Sequence, residues 1–475
     1  MCKFAKMKKN VLGYIILIFL PGILAGCVNS GGKIIKEIHV DLHNNNELQI
    51  QIDVLTSEPA DAYAEYWTGS DSTHAMQSTI AKNTLKHPLV LLNIIPKTNY
   101  SYRVITIDNG VKQTSKTYTF KSQELHVWLQ DQFKAINTYP KLVPKEFKNG
   151  LMLVNKNYAP GLCFLMDYQG RIRWYHMINN MCYKVLHFTK QKTILALLGR
   201  NDEPTSYGSQ ILEVNLLGDT VLNLKKGQGD FNKTIHHEIL KNDKGQLVTI
   251  TVEKKVMDLT SVGGGKTDTI NSDGIMVLDK NAHLIWKWSV FDNADPLKDP
   301  NIVKNKKDWT HANSLNYDTD GNYLISFYNT GQIWKVDAVT GKVIWKLGKG
   351  GTINMPADCN FSESHAVHIN RDGNLMFFDN GVSKNQSGVY ALKLNEAQKT
   401  AKLDMHILLP KEVFNGRMGS AYMINDTSVL VCCSKRHILV LSDRNGTLLW
   451  TMETAMPSYR AEFISGDKLA PYLKP

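Results

Sequence analysis

No stripe of interleaved basic and aromatic residues runs along this 475-residue chain, although its formal net charge is +11. Nucleic-acid binding therefore has no support. Four of the positive charges, Lys3, Lys6, Lys8 and Lys9, stand at the extreme N-terminus with no acidic residue among them, which leaves a mild excess of +7 over the rest. Such a balance suits anionic small molecules without demanding them. Metal-ligand spacing is also missing: the histidines lack carboxylate pairs at ligand spacing, and no calcium-type carboxylate cluster is evident. Neither a metal nor a cofactor is expected. Cysteine is scarce. Beyond Cys2 and Cys27, the five that remain (Cys163, Cys182, Cys359, Cys432, Cys433) are an odd set without metal-like spacing. One bridge would be compatible with an exported chain, but its connectivity is not readable. Cys432 and Cys433 continue the apolar run Val429–Val431, so at least one of them belongs to a core.

What the chain does contain is a repeat. A turn, an apolar residue and a tryptophan recur at Gly170 to Trp174, Ala282 to Trp286, Gly341 to Trp345 and Gly446 to Trp450. Weaker copies lie at Leu217–Val221 and around Glu396–Leu403. Alternating apolar residues between D-G and T-G turns read as consecutive antiparallel strands. The period is roughly 50–60 residues, within the range of propeller blades, and about six copies fit after Gly150. A closed ring protects the sheet edges and leaves a central channel. No Pro/Ser-rich linker separates the copies, which disfavours a series of independent sandwiches.

Residues 1–26 read as a secretory signal, with the basic start followed by the apolar run Val11–Leu20. Leu24-Ala25-Gly26-Cys27 resembles the lipobox of bacterial lipoproteins, in which the cysteine is lipidated and becomes the first mature residue. The resemblance implies an exported lipoprotein, membrane-anchored in the periplasm or at the cell surface; a plain uncleaved anchor is the alternative. Residues 27–123 read as a small β-sandwich. Glu47–Val54 alternates strictly, and Ile95–Val104 resembles the tyrosine-corner strand of fibronectin type III domains. Residues 124–149 are a connector with a predicted short helix at Trp128–Ile136 and a loop at Pro140–Pro144. Residues 150–475 are the propeller. The fold class expected is all-β, a small sandwich followed by six blades and almost no helix.

Aligning the copies by their turns gives the candidate chemistry. His237 precedes Gly245 by the same interval as His365 precedes Gly373, and His311 is placed correspondingly in the blade between them. Equivalent positions in a ring lie at equal depth, so the three side chains should converge on the channel. A second polar ring follows the next strands: Gly199-Arg200, Glu253-Lys254-Lys255, Tyr328-Asn329, Asp379-Asn380-Gly381 and Lys435-Arg436. Histidine, asparagine, arginine and lysine together suit an oxyanion, because each donates a hydrogen bond or positive charge.

The run D-W-x-H-A-N-S-L-x-Y-D at Asp308–Asp318, the His365 segment ending in Phe378–Gly381, the His237-Glu238 pair and Ser458-Tyr459-Arg460-Ala461-Glu462 resemble the bacterial arylsulfate sulfotransferases. That family does not use the soluble nucleotide sulfate donor (it is PAPS-independent). The resemblance covers most of the chain. It implies ping-pong transfer: a channel histidine attacks the sulfur of a phenolic sulfate ester, forms a sulfohistidine and passes the group to a phenol. His365 takes the nucleophile position, His311 and Asn313 the H-A-N pair, and His237 the first active-site histidine, with His236 as the fallback. Asn329, Arg436, Arg200, Tyr459 and Arg460 are the substrate-binding candidates. The chain also departs from the family. Asn329 stands where the family has an arginine, with Arg436, Arg200 or Arg417 as substitutes; Ser364 stands where a glutamine is common; and the family's cysteine pair before the nucleophile is reduced to Cys359.

The implied partners are a phenolic sulfate donor and a phenolic acceptor, with the membrane reached through Cys27 and homo-oligomerisation open. Two competing readings remain. One is a non-enzymatic propeller lipoprotein for ligand binding or surface scaffolding. The other is a quinone-dependent dehydrogenase, suggested by the Gly/Trp repeats and disfavoured by the missing calcium ligands.

Overall fold

The computed structural model describes residues 34–42, 46–470 and 472–473. The signal segment and Cys27 lie outside these residues. Among the described residues, α-helix is confined to three four-residue turns, Lys145–Lys148, Ile302–Asn305 and Gly466–Leu469. Everything else of regular structure is strand or 3-10 turn, and the strands form a β-rich N-terminal region followed by a six-bladed propeller.

In the N-terminal region one long strand, Ile50–Thr68, organises the sheet by changing partners along its length. Its first half pairs with Ile35–Asp41 and Ala81–Leu91, and its second half with Asn99–Asp108. The apolar sides of both halves meet in one core that includes Ile52, Val54, Tyr66, Tyr100 and Tyr102. The Tyr100 hydroxyl accepts the Ile95 backbone N–H at 2.9 Å, which is the tyrosine-corner bond expected from the sequence. This region is fastened to the propeller by buried polar contacts. Tyr175 donates to Glu47 at 2.7 Å, Gln49 to the Leu216 carbonyl at 3.1 Å, and Arg173 to Asn93 at 2.6 Å.

Six sheets follow. Their innermost strands are Glu462–Ser465 (blade 1), Cys182–Phe188 (blade 2), Ile235–Lys241 (blade 3), Ala312–Tyr317 (blade 4), Ser364–Ile369 (blade 5) and Ser420–Met423 (blade 6). A blade buries both faces, and six apolar cores accordingly lie one between each pair of neighbours. Val185 and Leu197 meet Ile235 and Ile239 between blades 2 and 3, for example. The recurrent tryptophans sit in the fourth strand of their blades, and several tie it to the neighbouring blade. Trp174 donates to the Leu216 carbonyl of blade 2 at 2.7 Å, and Trp450 of blade 6 to Tyr168 of blade 1 at 2.9 Å. The outer hairpins carry a register shift and a left-handed turn residue; this is glycine in most, but Ala282 (φ 67°) in blade 3 and Lys399 (φ 52°) in blade 5.

The ring is closed twice. Glu462–Ser465 pairs with Gly150–Lys156, so a strand from the end of the chain completes the first blade. Phe133–Ile136 pairs with Leu448–Thr454, so a strand from before the ring completes the last. The second clasp corrects the expected helix at Trp128–Ile136. Only Val127–Leu129 turns, as 3-10. Phe133 instead packs on Phe164 at 5.4 Å between ring centroids, and the segment satisfies an otherwise open sheet edge. The five described cysteines are free and buried, including both Cys432 and Cys433.

Candidate active site

Counting back from the last cross-strand pair of each inner hairpin fixes which residues share a level of the channel. Those pairs are Phe188↔Ile194, Lys241↔Leu247, Tyr317↔Tyr323, Ile369↔Leu375 and Met423↔Val429. The residue four places earlier is Lys184, His237, Asn313, His365 and Gly419 in turn. His311 is thus not the counterpart of His237 and His365, as the turn alignment had it. Asn313 holds that place, and His311 lies two residues earlier, just before its strand. The three hairpins have the same length, so Asn313 precedes Gly321 by the interval that separates His237 from Gly245 and His365 from Gly373; each inner strand also carries a β-bulge, between His236/Ile239, Ala312/Ser314 and His365/His368. His237 (φ 60°) and His311 (φ 53°) both sit in the left-handed region that such irregularities require.

The histidines nevertheless converge. The rings of His237 and His311 are 5.1 Å apart, those of His311 and Tyr328 5.3 Å, and those of Tyr328 and His365 5.7 Å. Their environments differ. His237 is buried, with Nδ1 at 2.7 Å from His236 Nδ1 and Nε2 at 2.8 Å from Ser206 Oγ. Of the three, only His237 has both ring nitrogens within 2.8 Å of a partner. Its pKa falls well below the ordinary histidine value, first through burial and then through His236, His311, His365 and Arg460. His365 is buried, and its pKa is pushed down to about 3 by burial and by the charges of Arg460 and His311. His311 Nδ1 lies 2.5 Å from Asp308 Oδ2. Burial alone would lower its pKa, but the Asp308 hydrogen bond and charge, with Asp273, outweigh burial and raise it. Burial thus disfavours charge on His237 and His365, whereas Asp308 favours it on His311.

Asn313 is fixed from three sides. Its Nδ2 donates to the Ser364 carbonyl at 2.8 Å and approaches His365 Nδ1 at 3.3 Å, while its Oδ1 accepts from Ser326 at 2.5 Å. Tyr459 lies 6.0 Å from His237 between ring centroids, and its buried hydroxyl lacks a partner in hydrogen-bonding geometry. Arg460 is buried behind these residues. It pairs with Glu238 and donates to the carbonyls of Asn313 at 2.9 Å and His237 at 3.3 Å. The structure thus brings His237, His311, Asn313, His365, Tyr459 and Arg460 together. Among the described residues, no hydrogen bond or ion pair joins the side chains of Asn329, Arg436 or Arg200 to the clustered side chains. Asn329 is exposed and donates to the Asp308 carbonyl at 2.6 Å; Arg200 is exposed and paired with Asp202; Arg436 is exposed on the turn Ser434–Arg436. Tyr328 and Asn380 are the two members of the second polar ring that do reach the site. Asn380 donates to the carbonyls of Asn415 at 2.6 Å and Met418 at 2.9 Å, and its side chain opposes the fall in the His365 pKa. Sequence reasoning missed Ser206, Tyr207, which stacks on His236 at 5.0 Å, and Asp273, which anchors Ala312 N–H at 2.8 Å. Nothing local marks these three.

Three residues further along the same inner strands, roughly 10 Å away at strand rise, a second polar level faces the other mouth. His187, Asn316, His368, Tyr422 and Glu462 line a cavity of about 480 Å³ there. His187 lies between Glu238 at 2.6 Å and Glu462 at 3.3 Å. Burial opposes its charge, but the two carboxylates win and its pKa rises to about 9. Among the described residues no group of three or more His, Cys, Asp or Glu side chains is placed to hold a metal ion.

The fold and site together define a six-bladed propeller with a histidine cluster on its inner strands. The family model described as Arylsulfotransferase (ASST) matches residues 137–431, and the chain belongs to that family. Membership supports aryl sulfotransferase activity in general, on small-molecule substrates. No curated protein matches the chain. Among solved structures, it is similar to a protein of unknown function from Bacteroides caccae (11% identity, TM-score 0.43, covering 66% of this chain and 99% of that one). It is also similar to a protein from Lactobacillus plantarum (13% identity, TM-score 0.38, 86% and 100%) and to a streptogramin B lyase (11% identity, TM-score 0.35, 66% and 86%). These overlaps are too loose to inform the reading of the site, which rests on its own residues.

Proposed function

We propose that this protein moves a sulfuryl group from a phenolic sulfate ester to a phenolic acceptor through a sulfohistidine at His365. One observation carries the reading: His237, His311 and His365 gather with Tyr328 at one site, with a carboxylate against His311 alone of the three. A neutral imidazole is a competent nucleophile, and a protonated one is a general acid. His365 is preferred to His237 because its segment resembles the nucleophile segment of the family. In the first half-reaction the unprotonated nitrogen of His365 attacks sulfur. The bond from sulfur to the aryl oxygen breaks, and that oxygen leaves with the proton of His311 as a phenol. In the second, His311 takes the proton of the incoming phenol, whose oxygen attacks sulfur and breaks the N–S bond, restoring His365. The donor is the ester itself, so no nucleotide enters the scheme. Transfer of this kind passes through a loose in-line transition state, so positioning matters most. Asn313 supports it by holding Ser364 and the His365 ring.

The test is incubation with a chromogenic aryl sulfate with and without added phenol, followed by mass spectrometry after brief exposure to donor alone. Phenol-dependent release of the chromophore and an added sulfuryl group on the His365 peptide are expected. Modification of His311 or His237 with His365 unmodified would overturn the assignment of the nucleophile.

The lipobox reading also stands as a proposal: Cys27 is acylated and anchors the chain to a membrane, a lipid chain contributing about 0.8 kcal/mol per buried methylene. Cys27→Ser is expected to release the protein from membranes. Retention of that variant through high-salt washing would point to another anchor.

A further inference from the structure

The level of the channel that carries His237, Asn313 and His365 has a member in blade 2 that the scheme above does not use. Lys184 takes the equivalent place in the inner strand Cys182–Phe188, at the register shift between Tyr183 and Val185. Its side chain is 1% exposed, which places it among the largest fully buried side chains of the protein. Its aliphatic stem passes over Gly199, where a Cβ would lie 2.6 Å from Lys184 Cε, so any larger residue there would displace it. The ammonium group ends beneath the loop 200–207. Its hydrogen bond there is a long one, 3.4 Å to the Glu203 carbonyl. The same loop holds His237 through Ser206.

A buried ammonium normally has a carboxylate against it or several acceptors around it. Lys335 shows that pattern elsewhere in this fold, with Asp318 at 2.8 Å, Asp320 at 2.7 Å and Glu396 at 2.6 Å. Lys184 has no carboxylate within ion-pair distance among the described residues. The nearby Asp202 is taken by Arg200, and Glu203 Oε2 accepts the Arg200 backbone N–H at 2.6 Å. Against burial, Cys182, Glu203 and Asp202 favour the Lys184 charge without an ion pair, and the ammonium keeps one hydrogen-bond partner, the Glu203 carbonyl, among the described residues.

We propose that Lys184 is the anion receptor of the channel, and that it binds the sulfate group of an aryl sulfate donor. This rests on the function proposed above for its choice of ligand, a sulfate monoester, and extends it to the recognition of charge. A phenolic acceptor, being neutral, gains nothing from the lysine. Burial lowers the Lys184 pKa, an effect that an arriving anion would reverse.

The experiment uses a probe that cannot transfer, an aryl sulfonate, titrated calorimetrically into the full chain. Lys184→Met keeps the length of the side chain and removes its charge. The expected result is at least a tenfold loss of aryl sulfonate affinity in the variant, with phenol affinity unchanged. Lys184→Arg should stay within a fewfold of the parent and covers the case in which the methionine variant fails to fold. Thermal melting of ligand-free protein separates this role from a structural one. Removing an unpaired buried charge should leave the melting temperature unchanged or raise it, whereas removing a tether of loop 200–207 should lower it. Equal sulfonate affinity in parent and variant, no sulfonate binding by the parent, or a lowered melting temperature with affinity retained would each overturn the proposal. If the parent transfers sulfuryl groups while sulfonate binding ignores Lys184, the receptor fails and the enzyme stands. If sulfonate binding needs Lys184 but no transfer occurs, the reverse holds.

Discussion

The channel carries two histidine levels roughly 10 Å apart, and they use the same residue type for opposite ends. At the lower mouth His187 is charged because two carboxylates, Glu238 and Glu462, close on it from both sides, while His368 is pushed down to about 4 by burial, against the Ala366 backbone hydrogen bond. Every charge there is answered by another: Arg460 pairs with Glu238, and Glu238 with His187. At the upper level His311 has one carboxylate, His237 and His365 have none in contact, and Lys184 has Glu203 and Asp202 nearby but neither carboxylate in ion-pair contact. A closed charge network holds a structure together. An incomplete one holds a place for a substrate. Arg460 joins the two, since its guanidinium pairs with Glu238 while donating to the carbonyls of His237 and Asn313.

Substitutions break this contrast in graded steps. The largest effect is expected from His365→Ala, which should reduce phenol-dependent transfer to background, a loss on the order of 10⁴-fold or more, with the thermal melt unchanged. Next comes Asp308→Asn. In the parent, transfer requires neutral His365, pushed down to about 3, and protonated His311, raised above 6.5. The rate should therefore decline on the alkaline side of the raised His311 pKa. Removing the carboxylate lowers the His311 pKa, moves that decline to lower pH and costs roughly 10–100-fold at neutral pH. A pH–rate profile reads it directly.

His187→Gln tests the lower level and should act on stability instead. A folded pKa of about 9 against an unfolded value near 6.5 means that the stabilisation is fully present below pH 6.5 and is lost as pH rises through about 9. Its size is on the order of 3 kcal/mol. Urea unfolding of parent and variant at pH 6 and pH 9.5 should show a gap that narrows at the higher pH. A variant that loses activity without losing stability would erase the distinction between the two levels. The smallest effect is expected from Asn329→Arg. Asn329 does not face the sulfuryl site; it ties the backbone that carries Asp308. Replacing it should slow transfer by roughly 3–10-fold, the scale of one lost hydrogen bond, while a gain in rate would show that the new guanidinium reaches the donor.

Much of this was legible in the chain. The turn-Gly-Trp repeat located the fourth strand of these blades because the tryptophans must bridge to the neighbouring blade, a local requirement with a local signature. His237 and His365 were found by counting to a glycine turn, since no insertion intervenes in either hairpin. The same count lands on Asn313 in the blade between them, and His311 was given that place only by allowing two residues that the hairpin does not contain. The same count applied to blade 2 would have reached Lys184, but no histidine drew attention there. The pairing of Glu238 with Arg460 joins residues more than two hundred positions apart, and only the closing of the ring brings them together. The fate of Asn329 was hidden for a related reason: its partner is a backbone carbonyl, which every residue has.

The clasp made by Glu462–Ser465 has a consequence for how the enzyme comes into being. Tyr459 and Arg460 precede that strand directly and are delivered to the channel by its pairing with Gly150–Lys156. A nascent chain that stops short of residue 460 has five blades' worth of inner strands and both proposed transfer histidines, yet its first blade is open and its channel lacks the guanidinium behind the cluster. The ring therefore stays open until the Glu462–Ser465 strand has been made, and termination anywhere upstream of it yields an incomplete ring rather than a weakly active one.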